Sequence, residues 1–273
     1  MEVADITGQV GSPLVVSVPH TGTLVPEEVA AQLAVPVSRV QQRVDEWAWE
    51  LARTAEPWAT VVRARLSRAV VDLNRSGTVS DLDLRCDLAS DGDRLVRLYD
   101  EAGRLRWRAP AGEPPISREE LERRLRLYHE PFHRALQGCL ETAPRPCLLV
   151  DVHSMSAPGF DLVLGDFRGR SAGCRLCERR LVPFFAARGY RVGYAGPQRT
   201  DGGGRPAPPA AVRYSGGFTT ARYGHPEAGQ HAVQLEVSRA TCRADLAQVE
   251  GDFRDFWGFV RGLLGELRQG GTG

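Results

Sequence analysis

Residues 147–154 read Cys-Leu-Leu-Val-Asp-Val-His-Ser, a short apolar run that ends on two ionisable side chains. Rich in Leu and Val and too short for a helix, the run predicts a strand over Pro146–Val152. Runs of the same kind predict strands at Pro13–Val18, Thr60–Arg65, Ala69–Leu73, Asp161–Gly165, Arg191–Ala195 and His231–Val237. Between them, helical periodicity predicts helices over Pro26–Ala34, Val37–Ala55, Ser117–Leu140, Ala172–Arg188 and Arg239–Leu267. Ser117 followed by Glu120 is a capping box at the start of the third helix. Strands alternating with helices predict a layered α/β fold around a mixed, mainly parallel sheet.

Two stretches break the rhythm. Ser76–Pro115 is polar and turn-rich, and it is expected to hold a hairpin or excursion over Arg94–Arg108. The Gly/Pro-rich run 197–209 is expected to be a flexible loop, since a structureless segment of that length is usually functional or disordered. Residues 268–273 are expected to form a disordered tail. No internal repeat or domain boundary is visible, so the whole span 1–273 is expected to form a single domain.

Composition narrows the function. The 35 basic residues nearly balance 34 acidic ones, leaving a net charge of +1, which argues against nucleic acid as a partner. Every basic residue is an arginine, which a GC-rich codon bias explains, and the absence of lysine excludes Schiff-base chemistry. No apolar run approaches a membrane span, and no basic region precedes an apolar one at the N-terminus. A cytoplasmic protein with reduced thiols is therefore expected. Cys174 and Cys177 make a lone C-x-x-C without a second pair, which reads as structural cysteines on a helix face.

The ionisable residues at strand ends carry the chemistry. Leu14–Val18 ends in Pro19-His20-Thr21-Gly22, and Cys147–Val150 leads into Asp151-Val152-His153. In open α/β sheets ligands bind beyond the carboxyl ends of strands, so His20 and His153 form a candidate ligand pair. A catalytic zinc commonly takes two histidines and a carboxylate and keeps one position for water. Asp45 and Glu46 are both candidates for that carboxylate, and their chemistry does not separate them. Glu236 stands among Ala232, Val233, Leu235 and Val237, where a carboxylate is costly unless paired or functional. It is the candidate general base, with an ion pair to Arg239 or another arginine as the structural alternative. Arg68, Asn74 and Arg75 are candidates for binding a substrate carboxylate, although an arginine salt bridge to Asp72 fits the cluster equally well. Gly216 and Gly217 offer backbone that a ligand could approach closely, and Arg213 follows the Gly/Pro loop.

In order along the chain, Val18–Gly22, Ser67–Arg75, Tyr128-His129-Glu130-Pro131-Phe132-His133, Asp151–Met155, Leu164-Gly165-Asp166, Ser215–Phe218 and Gln234–Arg239 resemble the motifs of the N-formylglutamate amidohydrolase (deformylase) family. The resemblance implies a three-layer αβα fold of zinc carboxypeptidase type and one zinc ion held by His20, an acidic residue and His153. It also implies Glu236 as the catalytic glutamate and Asn74 with Arg75 as the substrate-carboxylate clamp. Aligning the family's Asp-containing segment on Leu51 makes Asp45 the acidic ligand and Glu46 the runner-up, and it places Trp49 where the family has a second Asp. The implied activity is zinc-dependent hydrolysis of an N-acyl amino acid, N-formyl-L-glutamate above all. A carboxypeptidase-like or other N-acyl amidase, and a catalytically degenerate binding protein of the same fold, are the alternatives.

Overall fold

The computed structural model describes residues 1–41, 44–84, 88–89, 91–100, 102–109, 114–156, 159–173, 176–196 and 214–270. Arg213, the run 197–209, Cys86, Cys174 and residues 271–273 lie outside the described residues.

Seven strands build one sheet: β1 (Ala4–Gly8), β2 (Leu14–Val18), β3 (Thr60–Ala64), β4 (Cys147–Met155), β5 (Leu162–Gly165), β6 (Val192–Ala195) and β7 (Gln230–Ser238), in the order β1-β3-β2-β4-β7-β5-β6. The pairs β2–β4, β4–β7 and β5–β6 are parallel, and β5–β7 is antiparallel. Helices flank the sheet, giving the mixed α/β architecture expected from the sequence.

The chain groups into two compact units interleaved along the sequence. One comprises Met1–Asp5, Pro19–Val44 and Arg63–Leu136, and the other Ile6–Val18, Asp45–Val62 and Gln137–Gly273. In the second unit, side chains alternate across strands that are buried along their whole length. Leu14, Val16 and Val18 of β2, Leu148, Val150 and Val152 of β4, and Val233, Leu235 and Val237 of β7 enter one apolar cluster. The C-terminal helix Leu246–Gly270 covers that cluster with Val249, Phe253, Phe256, Trp257, Val260 and Leu264. The Trp257 indole N–H donates to the Leu51 carbonyl at 3.2 Å. By the same alternation Ser17, Asp151, His153, Gln234 and Glu236 share the opposite face, and all are buried.

In the first unit, the fully buried Arg124 donates to the Val70 carbonyl and to Glu120, and its guanidinium lies 4.5 Å over the Trp107 ring. The expected excursion over Arg94–Arg108 carries an antiparallel bridge between Tyr99 and Leu105. Ser117 Oγ accepts from the Glu120 amide, as a capping box requires.

Local structure differs from the sequence reading in several places. Ala69–Leu73 is a turn and not a strand: Val70, Val71 and Leu73 are buried, but the Asn74 amide bonds the Asp72 carboxylate instead of a neighbouring strand. The helix expected over Val37–Ala55 is two helices, Val37–Gln41 and Ala48–Arg53, and Trp47 precedes the second in the left-handed region at φ 63°. The run expected as Arg239–Leu267 divides at Asp245, whose carboxylate accepts from the Gln248 amide at the start of the last helix. Two wide π turns, Leu125–His129 and Cys177–Leu181, each stand just ahead of a proline, Pro131 and Pro183. A proline lacks the N–H that would continue the regular ladder, and the extra residue accommodates the loss. The strand β1 has no counterpart in the sequence reading.

Candidate active site

In the second unit, β4 and β7 pair with Asp151 opposite Gln234 and His153 opposite Glu236. These four side chains therefore stand in two adjacent rows on one face of the sheet. Both ring nitrogens of His153 are engaged: Nδ1 lies 3.0 Å from Asp45 Oδ2, and Nε2 lies 2.9 Å from Asp151 Oδ2. Burial opposes charge on this imidazole, but the Asp151 carboxylate, the hydrogen bonds that the ring donates to Asp151 and Asp45, and the Glu236 charge hold its pKa well above the ordinary range. Glu236 Oε1 accepts from the Gln234 amide at 2.7 Å. Arg239, one of the arginines that could pair with Glu236, donates to Ser154 Oγ. Asp151 Oδ1 is buried with no hydrogen-bond partner among the described residues.

The two acidic candidates separate clearly. Asp45 is buried against His153, whereas Glu46 is exposed and its carboxylate lies 3.7 Å from Arg243. Trp49 packs against the apolar cluster, so the departure from the family pattern falls on the core side of its helix. Met155 and Val163, with Phe160 and Tyr214 against them, form a small apolar cluster, and Val163 lies opposite Glu236 in the sheet. Gly216 adopts φ 127°, and a Cβ there would lie 2.6 Å from Thr220 Oγ1, so local backbone alone requires glycine at that position.

In the first unit, His20 Nε2 lies 2.7 Å from Asp72 Oδ1, and Arg68 donates to Asp72 Oδ2 at 2.7 Å. Burial would raise the Asp72 pKa, but the Arg68 and His20 charges beside it hold it well below the usual carboxylate range. Arg68 is thus engaged by Asp72, the salt bridge that the sequence left open. Asn74 is buried, and Arg75 donates to the carbonyls of Asn74 and Gly92. His133 Nε2 meets the Leu73 carbonyl and His129 Nε2 the Arg75 carbonyl, so the two histidines grip the backbone on either side of Asn74.

The sequence reading gave no site role to Asp151, Gln234, His129 or His133. The signal for the first two was present: each precedes a candidate by two residues in a strand, and that spacing places both side chains on one face. The histidine pair meets its target only through tertiary structure, and its four-residue spacing shows no more than a shared helix face.

A family model described as N-formylglutamate amidohydrolase matches residues 12–242. The chain belongs to the N-formylglutamate amidohydrolase family. N-formylglutamate deformylase of Pseudomonas aeruginosa is 33% identical over 260 residues, covering 86% of this chain and 87% of that protein. N-formylglutamate deformylase of Pseudomonas putida is 30% identical over the same shares. In structure, the chain is similar to N-formylglutamate amidohydrolase from Ralstonia eutropha JMP134, with a TM-score of 0.77 at 20% identity, covering 99% of this chain and all of that one. A gene product of Agrobacterium tumefaciens has a TM-score of 0.64 at 16% identity, covering 99% and 96%. As a member of the N-formylglutamate amidohydrolase family the chain is an amidohydrolase, which agrees with the hydrolytic reading of its motifs.

Proposed function

We propose that this chain hydrolyses N-formyl-L-glutamate to formate and L-glutamate, with one zinc ion held by His20, Asp45 and His153. The observation that carries the reading is the pairing of His153 with Glu236 on one buried sheet face, with Asp45 and Asp151 on the two ring nitrogens. His20, Asp45 and His153 are buried, and each offers one ligand atom. Two imidazoles and a carboxylate form a donor set suited to catalytic zinc. Each histidine also has its Nε2 on a second carboxylate, Asp72 for His20 and Asp151 for His153, as metal-ligating histidines commonly do. The chain leaves the carboxyl end of β2, parallel to β4, and reaches His20 two residues later.

Zinc, when bound, polarises the amide carbonyl and lowers the pKa of a water from about 15.7 toward about 7. Glu236 accepts the proton of the attacking water and delivers it to the departing nitrogen as the C–N bond breaks. Asn74 and Arg75 hold substrate carboxylate, the arginine through a bidentate ion pair, and so bring the formyl group to the reacting centre. Arg213, Gly216 and Gly217 complete the substrate contacts, and Arg68 holds Asp72 against His20.

The test is release of the free amino acid from N-formyl-L-glutamate, with N-acetyl-L-glutamate and N-formyl-L-aspartate alongside. Glu236→Gln is expected to lower kcat by about 10²–10⁴-fold with zinc content unchanged. Turnover by Glu236→Gln at the wild-type rate overturns the role of Glu236, and faster turnover of another substrate moves the reading to that N-acyl amino acid.

A further inference from the structure

Gln234 and Glu236 are two residues apart on β7, share one face, and are 6% and 7% exposed. The Gln234 amide nitrogen donates to Glu236 Oε1 at 2.7 Å. On one side β4 places His153 opposite Glu236 and Asp151 opposite Gln234. On the other side β5 places Val163 opposite Glu236 and Gly165 opposite Gln234, neither of which brings a polar side chain.

The two oxygens of a glutamate exchange by rotation about its last torsion, which is broad and roughly two-fold. A proton carrier works only when one chosen oxygen faces the reacting atoms, so this freedom lowers the fraction of productive encounters. A buried donor on Oε1 makes the two oxygens inequivalent and fixes the plane of the carboxylate. The donor is a neutral amide, so its own contribution orients the carboxylate and perturbs its basicity less than a charged donor in the same place would. Strand backbone fixes the spacing of the two residues, so orientation does not depend on a mobile loop.

We infer that Gln234 is a positioning residue for Glu236, selecting the carboxylate oxygen that takes the proton from water and returns it to the leaving nitrogen. The inference rests on the reading of Glu236 as proton carrier. Gln234→Met retains length and apolar bulk while removing the donor. In the zinc-loaded full chain, kcat on N-formyl-L-glutamate is expected to fall about 10–100-fold, with KM and zinc content unchanged. In the Glu236→Gln background the same substitution is expected to cost less than about twofold, because the group it acts through has gone. A kcat for Gln234→Met within about twofold of wild type overturns the inference, as does an undiminished loss in the Glu236→Gln background. A parallel loss of zinc or a rise in KM overturns it as well, since either marks a general structural role. Gln234→Leu, which also removes the donor without adding charge, provides the same measurements if the Met variant fails to fold. Wild-type activity in Glu236→Gln alone overturns the underlying reading instead.

Discussion

Asp45 and Glu46 are adjacent and chemically alike, yet the fold treats them oppositely. Asp45 is buried on His153 Nδ1, while Glu46 is exposed and faces Arg243. Their chemistry alone does not separate them; both lie just ahead of the helix Ala48–Arg53, which the chain enters through Trp47 in the left-handed region. A bulky residue at positive φ is strained and persists only when its surroundings hold it, and Trp47 packs against the apolar cluster. Gly22 in Pro19-His20-Thr21-Gly22 is a clearer case. A Cβ there would lie 2.3 Å from the Leu66 carbonyl oxygen and 2.4 Å from the Arg65 carbonyl carbon, both backbone atoms that cannot swing aside. Gly22→Ala is therefore expected to cost about 1–3 kcal/mol in urea denaturation, and wild-type stability would contradict the packing described here. The histidines and Glu236 were legible because each interrupts or ends an apolar strand. Gln234 went unassigned because an uncharged residue in a strand raises no comparable alarm.

At the level of elements, alternation within β2, β4 and β7 was readable and fixes which side chains share the polar face. What escaped reading depended on backbone geometry: Ala69–Leu73 is apolar because it is buried, and the Asp72 side chain turns the chain where a strand was expected. The polar clasp before β5 and β6 gives a pH test. Asp161 accepts from the Arg191 backbone amide and guanidinium and from Thr241 Oγ1, tying together the starts of both strands and the helix Arg239–Ala244. These bonds, the Arg191 side chain foremost, lower the Asp161 pKa to about 2. In the unfolded chain an aspartate titrates near about 3.9, so the clasp stabilises the fold fully above that pH and loses its contribution as pH falls toward about 2. Asp161→Asn is accordingly expected to be less stable than wild type at neutral pH, with the gap narrowing between about pH 4 and about pH 2. Urea denaturation at a series of pH values measures the gap, and a constant difference would contradict the assignment.

For the whole molecule, family membership and the seven-stranded sheet establish an amidohydrolase scaffold, and the proposed chemistry depends on a metal held by residues far apart in sequence. His20, Asp45 and His153 come from three separate stretches of chain, which is why spacing alone could nominate them but not choose among acidic neighbours. We propose that His20, Asp45 and His153 hold one catalytic zinc. Zinc titration of the purified, metal-depleted chain beside its Asp45→Ala and Glu46→Ala variants tests this most directly. One equivalent of zinc is expected to bind wild type and Glu46→Ala, with affinity severely reduced in Asp45→Ala. Full, unweakened binding by Asp45→Ala, or no stoichiometric zinc in the wild type, would contradict it.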